Sequence, residues 1–289
     1  MLFRNYLQQK NIIPKTIHRH EQEINKYHTW LQTLDIEAIQ ATTKDILHYL
    51  QHIKEKRQLC NATQNQLLQV LKNYYHYLAA TQAIKNPTQF IKIRGAHKKH
   101  IQQTLTPEQI DMLCDAYYNH IQYYNATNKE IRFYSNQQHL LLGYYISLSL
   151  VAYQALTIIE ILALTKTSFD IRKGTVSIAP HLKGNARSLS LEASQIGSII
   201  EFYSHNTQAL LMINKNHFDK LTITLKTFLP TYKNFRQLRT SKIVQWIQQY
   251  GLRKAQVLAG HKNIKSTEAY LSNDIQSLQN DMNNFHPLQ

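Results

Sequence analysis

Apolar residues recur at helical spacing along most of this chain. In KTIHRHEQEINKYHTWLQTL, after a break at Pro14, Ile17, Ile24, Tyr27 and Leu31 fall on one stripe. TTKDILHYLQHIKEK opens on threonines suited to capping and carries Ile46, Leu47, Leu50 and Ile53. NATQNQLLQVLKNYYHYLAA repeats the pattern at Leu67, Val70, Leu71, Tyr74 and Leu78. The pattern over residues 1–90 therefore predicts about four helices. AIKNPTQF ends the bundle, because Asn86 before Pro87 is pushed out of helical geometry.

The periodicity lapses over 91–104, IKIRGAHKKHIQQT, which carries Lys92, Arg94, Lys98 and Lys99, a glycine and no acid. It reads as a linker, and its charges as either a solvated face or a strap along a phosphate backbone. TPEQIDMLCDAYY opens a second block, with Thr106 as cap and Glu108 in the first turn. A long apolar helix, HLLLGYYISLSLVAYQ, follows, and then IIEILALTKTSF. GTVSIAP and NARSLSLEA alternate like strands around a turn at HLKG, and helix resumes from Phe218. The stretch 118–137, rich in Tyr, Asn and Gln, receives no role. The expected fold is mainly α: a helical N-terminal domain (1–91), a basic linker (92–104), and a mostly helical C-terminal domain with a small β-sheet (105–289).

Charge changes the picture from architecture to partner. Lys and Arg outnumber Asp and Glu by 33 to 18, a formal charge of +15 in 289 residues. A balance that basic points to a polyanion, foremost nucleic acid, with a basic surface kept for solubility as the alternative. Between Asp219 and Glu268 lie ten Lys or Arg and no acid, the strongest asymmetry in the chain. Cys60 and Cys114 form neither a disulfide framework nor a zinc spacing. The N-terminus lacks a continuous apolar core, and no apolar run is long enough to span a bilayer. The expectation is a cytoplasmic protein with no membrane association.

The acid-free region holds the candidate chemistry. In NFRQLRTSKIVQWIQQYG, Leu238, Val244 and Ile247 suit a core, while Arg236 and Arg239 share a face at i,i+3. The pair reads as a phosphate clamp or as a solvated basic face. Lys242 belongs to the same region and, with Lys92, Arg94, Lys98 and Lys99, is a candidate DNA contact. In LAGHKNIKSTEAYL, Gly260 can end the helix RKAQVLA, and Ser266 or Thr267 can cap the next. That places His261 in the intervening loop and Tyr270 in the next helix's first turn.

The order of these elements resembles the tyrosine recombinase (phage integrase) family. Its C-terminal signature is an H-x-L-R segment, then L-G-H, then a nucleophilic tyrosine nine residues later. Arg239 matches the arginine, His261 the second histidine, and Tyr270 follows His261 by nine residues. The N-terminal helices ending in KNP resemble the family's core-binding domain (SAM-like). LTPEQID resembles the entry to its catalytic domain, and IIEILALTKTSFDI the segment around its first arginine. Lys183 sits where the family places its β-hairpin lysine. Two positions depart from the pattern: Thr157 stands where the first arginine belongs, three residues before Glu160, and Arg236 replaces the first histidine.

The resemblance implies a chemistry. Tyr270 would attack a DNA phosphate to give a 3′-phosphotyrosine and a free 5′-hydroxyl. A tyrosine, with its usual pKa near 10, needs charge relief nearby. Arg239 and His261 would stabilise the non-bridging oxygens and Lys183 would protonate the leaving oxygen, with Arg236 one helical turn from Arg239 as a partial stand-in for the missing cation. No metal or cofactor is implied. The expected partner is double-stranded DNA, closed between two domains with the basic linker along the backbone. The tail IQSLQNDMNNFHPLQ resembles a segment that docks on a neighbouring protomer, implying a homo-oligomer, typically a tetramer on DNA, or assembly with a related recombinase. Two readings divide on catalysis: a site-specific recombinase or integrase of a mobile element with a divergent active site, or a catalytically impaired DNA-binding accessory or architectural protein. A helical RNA-binding or protein-interaction module is the third class.

Overall fold

A computed structural model of the chain describes residues 2–95, 103–127, 134–181, 184–204 and 214–271. The chain divides into two compact units, Met1–His100 and Ile101–Gln289.

The first unit contains α1 (Phe3–Gln9), α2 (Pro14–Gln32), α3 (Thr43–Arg57) and α4 (Asn61–Gln82). Pro14 starts α2, where its missing N–H costs nothing. Thr42 caps α3 through Asp45, whose Oδ2 accepts from the Thr42 N–H at 2.8 Å. Gln58 and Ala83, both left-handed, end α3 and α4. The fourth helix therefore stops before Asn86, and the Asn-Pro pair lies in the loop beyond it. The stripes of α2 and α4 are buried as the spacing predicts. On α3 one expectation fails: Leu47 is 49% exposed, and Tyr49 takes the core place beside Ile46, Leu50 and Ile53. Positions 46, 49, 50 and 53 are the i, i+3, i+4, i+7 set, and 47 lies off that face.

The second unit contains α5 (Pro107–Thr127), α6 (Tyr134–Gln154), α7 (Ile158–Leu162), β1 (Phe169–Asp170), β2 (Thr175–Ile178), β3 (Arg187–Ser190), α8 (Ala193–Ser204), α9 (Lys215–Phe228), α10 (Phe235–Ala259) and a terminal helix α11 over 264–271. Thr106 caps α5, and its reciprocal partner is Gln109, whose side chain accepts from the Thr106 N–H at 3.1 Å. The long apolar α6 is buried from Leu142 to Ala152 because other helices pack around it. Only five residues of IIEILALTKTSF form α7; a 3₁₀ turn at Lys166–Ser168 then leads into β1. The strands pair antiparallel in the order β1-β2-β3, with Val176 opposite both Phe169 and Leu189. At two residues β1 is too short to show an alternation. Gly251, at φ 78°, breaks α10 into two helical segments, and Gly260 closes the second in the left-handed region. Among the described residues, no helix is long and apolar enough to cross a membrane.

Candidate active site

Three elements of the second unit, α7, β3 and α10, meet at one buried carboxylate. After α6, Ala155 adopts a positive φ of 50° and turns the chain, so Thr157 can cap α7. The Thr157 N–H and hydroxyl donate to Glu160 Oε2 at 2.8 and 2.9 Å, and Thr157 Oγ1 accepts from the Glu160 N–H at 3.2 Å. The other oxygen, Oε1, accepts from Arg187 Nη1 of β3 at 2.6 Å, with both side chains only 3% exposed. Arg239 Nη1, from α10, lies 3.9 Å from Oε2. Burial works against the Glu160 carboxylate, but Arg187 and the Thr157 donors outweigh it and bring its pKa down to about 2.

Arg239 is fixed by the turns around it. It donates to the carbonyls of Ala155 and Ala259, and its Nη2 lies 3.3 Å from His261 Nε2. A guanidinium can only donate, so His261 Nε2 is the acceptor and Nδ1 carries the proton. Nδ1 then donates to Thr267 Oγ1 at 2.9 Å. Burial, with Arg239 and Arg187 adding to it, pushes the His261 pKa down to about 4, so the imidazole is neutral at pH 7. The ring stacks on Tyr270, with centroids 5.9 Å apart and planes 12° from parallel. Tyr270 is half-buried against Ala155, Ile243, Trp246, Ala255 and Ala259. Burial lowers the Arg239 pKa, while the Tyr270 hydroxyl and Glu160 act to raise it. Tyr270, His261 and Arg239 thus form one contiguous cluster.

Two short contacts close the pocket. The Asn185 N–H donates to Gly260 O at 2.9 Å, and Gly184 bridges His261. A Cβ on Gly260 would collide with the Arg187 guanidinium, so that position needs glycine for room as well as for its φ of 70°. His181, in the connection between β2 and β3, places Nδ1 3.8 Å from Glu160 Oε1.

Residues 1–82 match the family model described as the phage integrase N-terminal SAM-like domain. A tyrosine recombinase from Caldanaerobacter subterraneus subsp. tengcongensis is 30% identical over 105 residues, which span 36% of this chain and 36% of that protein. The XerH site-specific recombinase, solved bound to a palindromic difH substrate in a post-cleavage complex, matches with a TM-score of 0.72 at 15% identity, over 96% of this chain and 81% of that one. A lambda integrase dimer bound to a COC′ core site gives 0.63 at 14% identity, over 94% and 75%. The Tn1549 transposon integrase in complex with transposon right end DNA gives 0.62 at 15%, over 99% of both chains. Residues 1–82 thus match a phage integrase domain, and the whole chain shares its fold with solved tyrosine recombinases and integrases.

The residues singled out from sequence fall in several places. Tyr270, His261 and Arg239 are together. Arg236, three residues before Arg239 on α10, is exposed, and among the described residues no hydrogen bond or ion pair ties it to the cluster. Lys242 is half-buried and lines a separate cleft of about 350 Å³ with Asp111, Tyr153 and Glu192, where burial lowers its pKa. Lys92 and Arg94 are exposed in the first unit, and the Arg94 carbonyl accepts from Asn61 Nδ2 at 3.0 Å. Lys98, Lys99 and Lys183 lie outside the described residues, although the flanks of Lys183, His181 and Gly184, border the cluster.

Two sequence expectations need correction. Asn263, whose Oδ1 accepts from the Lys265 N–H at 3.0 Å, precedes a helix that begins at 264. Ser266 and Thr267 lie inside that helix, and Tyr270 sits in its last described turn, not its first. Arg187 went unnoticed, yet the strand pattern carried a signal. It shares a face with Leu189, 5% exposed in the core, so an arginine stands on the buried face of β3.

Proposed function

We propose that this chain is a site-specific DNA recombinase or integrase that cuts and rejoins duplex DNA through Tyr270. The observation that carries the reading is the clustering of Tyr270, Arg239 and His261 in a chain of the recombinase fold. In the reaction, Tyr270 Oη bonds to the scissile phosphorus as the bond to the 5′-oxygen breaks. The phenolic proton passes to solvent and the 5′-oxygen takes one from Lys183, so the phosphodiester energy is kept for religation. Arg239, held rigid by Ala155 and Ala259, presents positive charge beside the attacking phenol and the phosphate oxygens. Neutral His261, with its proton fixed on Nδ1, orients the Arg239 fork and the Tyr270 ring. Lys183 is the proposed proton donor to the leaving oxygen. Arg236, on the exposed side of α10, and Lys92, Arg94, Lys98, Lys99 and Lys242 are proposed phosphate contacts, which position DNA without reading sequence. The reading takes residues 1–91 as the core-binding domain and 105–289 as the catalytic domain. It also implies protomers assembling on DNA, four in the family, or with a related recombinase.

A second reading, DNA binding without cleavage, draws on Thr157, which carries no charge and is committed to capping α7. One experiment separates the two. A binding site is selected from a random-sequence duplex pool and rebuilt with a nick near each candidate phosphate. The recombinase reading expects a protein–DNA adduct that survives denaturation and vanishes in Tyr270→Phe. Tight binding with no adduct at any position would leave the accessory reading standing.

A further inference from the structure

The charges in the pocket do not cancel. Arg187 and Arg239 each carry one positive charge, Glu160 one negative, and His261 is neutral, which leaves one positive charge unmatched in a largely buried cluster. An uncompensated buried charge is costly unless an anion completes it. The donor inventory points the same way. Arg239 donates to two carbonyls and an imidazole and meets the Tyr270 hydroxyl. Arg187 uses Nη1 alone; its Nε and Nη2 are buried and have no partner among the described residues. Those two N–H groups form one edge of the guanidinium plane, the fork that meets two oxygens of a phosphate at once. A residue serving only to brace Glu160 would need Nη1 and nothing more.

We propose that Arg187 is a phosphate-binding residue whose Nε–H and Nη2–H edge takes non-bridging oxygens of the DNA phosphate attacked by Tyr270. The proposal rests on the recombinase reading above. It assigns the second positive charge of the site to β3, where the capping residue Thr157 can supply none. Glu160 becomes the common brace of two guanidinium groups, and Gly260 the gap through which one of them passes. Both free N–H groups are shielded in the DNA-free chain, so their bonds form only as the phosphate enters.

The test uses two forms of the full chain that keep the pocket's net charge unchanged. Arg187→Lys leaves Glu160 a cation but removes the fork, and the double variant Arg187→Met with Glu160→Gln removes one charge of each sign. On the selected nicked duplex, both are expected to form adduct about 10²–10³-fold more slowly than the parent. Their DNA affinity stays within about threefold, since one phosphate contact among many is lost. Replacing the scissile phosphate by a methylphosphonate, which removes the charge of one non-bridging oxygen, should shrink the deficit. Cleavage at the parental rate by either variant overturns the proposal. If the parent itself forms no adduct, the recombinase reading fails separately, and sodium tungstate decides the role of Arg187. A rise in melting temperature at constant ionic strength, present in the parent and lost in both variants, upholds an anion site. No rise, or an equal rise in all three, overturns it.

Discussion

The two units bury polar groups in opposite ways. In the first, the polar interior is made largely of tyrosines, with Gln64 and Thr88 also buried. Tyr27 and Tyr75 join hydroxyls at 2.7 Å, Tyr74 bonds His28, and burial pushes the pKa values of Tyr49 and Tyr74 up to about 12. Its ion pairs, Arg4 with Glu21 and Lys26 with Glu23, lie toward solvent. In the second unit, Glu160 and Arg187 are sealed together at 3% exposure with Arg239 beside them. Neutral hydroxyls fix a unique packing at little electrostatic cost. Sealed charges add little stability over an apolar core, so their presence marks a site where a charge has work to do.

The sharpest way to break this contrast is to remove Glu160. Glu160→Ala strands two guanidinium groups and deletes the α7 capping box, and should lower stability by about 3–5 kcal/mol in urea unfolding. Glu21→Ala, which opens an exposed pair in the first unit, should leave the unfolding midpoint where it is. Equal effects would mean the buried pair is as well solvated as the surface one.

Acid gives the next largest effect, through His261. Its pKa falls from the ordinary 6.5 to about 4 on folding, so between those values the unfolded chain binds more protons. Its contribution is complete above pH 6.5 and is lost as pH falls toward 4, a change of about 3 kcal/mol. His20 and His28 of the first unit are also lowered by burial, so the whole chain weakens in acid. The diagnostic quantity is therefore the stability of the parent minus that of His261→Gln, measured at pH 7 and pH 4.5. That difference should fall with pH. A difference independent of pH would show that His261 titrates alike in the folded and unfolded chain.

The same contrast explains what could be read without a structure. The first unit is legible because its core follows one rule, apolar or aromatic residues at helical spacing, and only Leu47 was placed on the wrong face. In the second unit, the nine-residue step from His261 to Tyr270 could be seen because both residues sit close to one loop. Arg187 and Glu160 lie 27 positions apart on a strand and a helix, and only tertiary contact pairs them. A helical or strand period reports which face is buried; it does not report which charges a fold will bring together. The start of α11 was missed for a smaller reason, since Asn263, Ser266 and Thr267 are all chemically able to cap and backbone geometry chooses.

The smallest effect probes the first unit on its own terms. Tyr75 donates its hydroxyl proton to Ala38 O at 3.1 Å, so the bond at 2.7 Å must use the proton of Tyr27, with Tyr75 as acceptor. Tyr27→Phe then removes one donor and leaves Tyr75 still bonded, at a cost of about 0.5–1.5 kcal/mol. Tyr75→Phe is the harsher change, because it strands the buried Tyr27 hydroxyl and the Ala38 carbonyl together, at about 1–3 kcal/mol. Chemical denaturation of the two variants should show that order, with adduct formation at Tyr270 unchanged in both. If Tyr27→Phe cost as much as Tyr75→Phe, the donor direction would be reversed. If either slowed the adduct without changing stability, polar groups of the first unit would be acting on the reaction, and the division between a packing interior and a charged one would not hold.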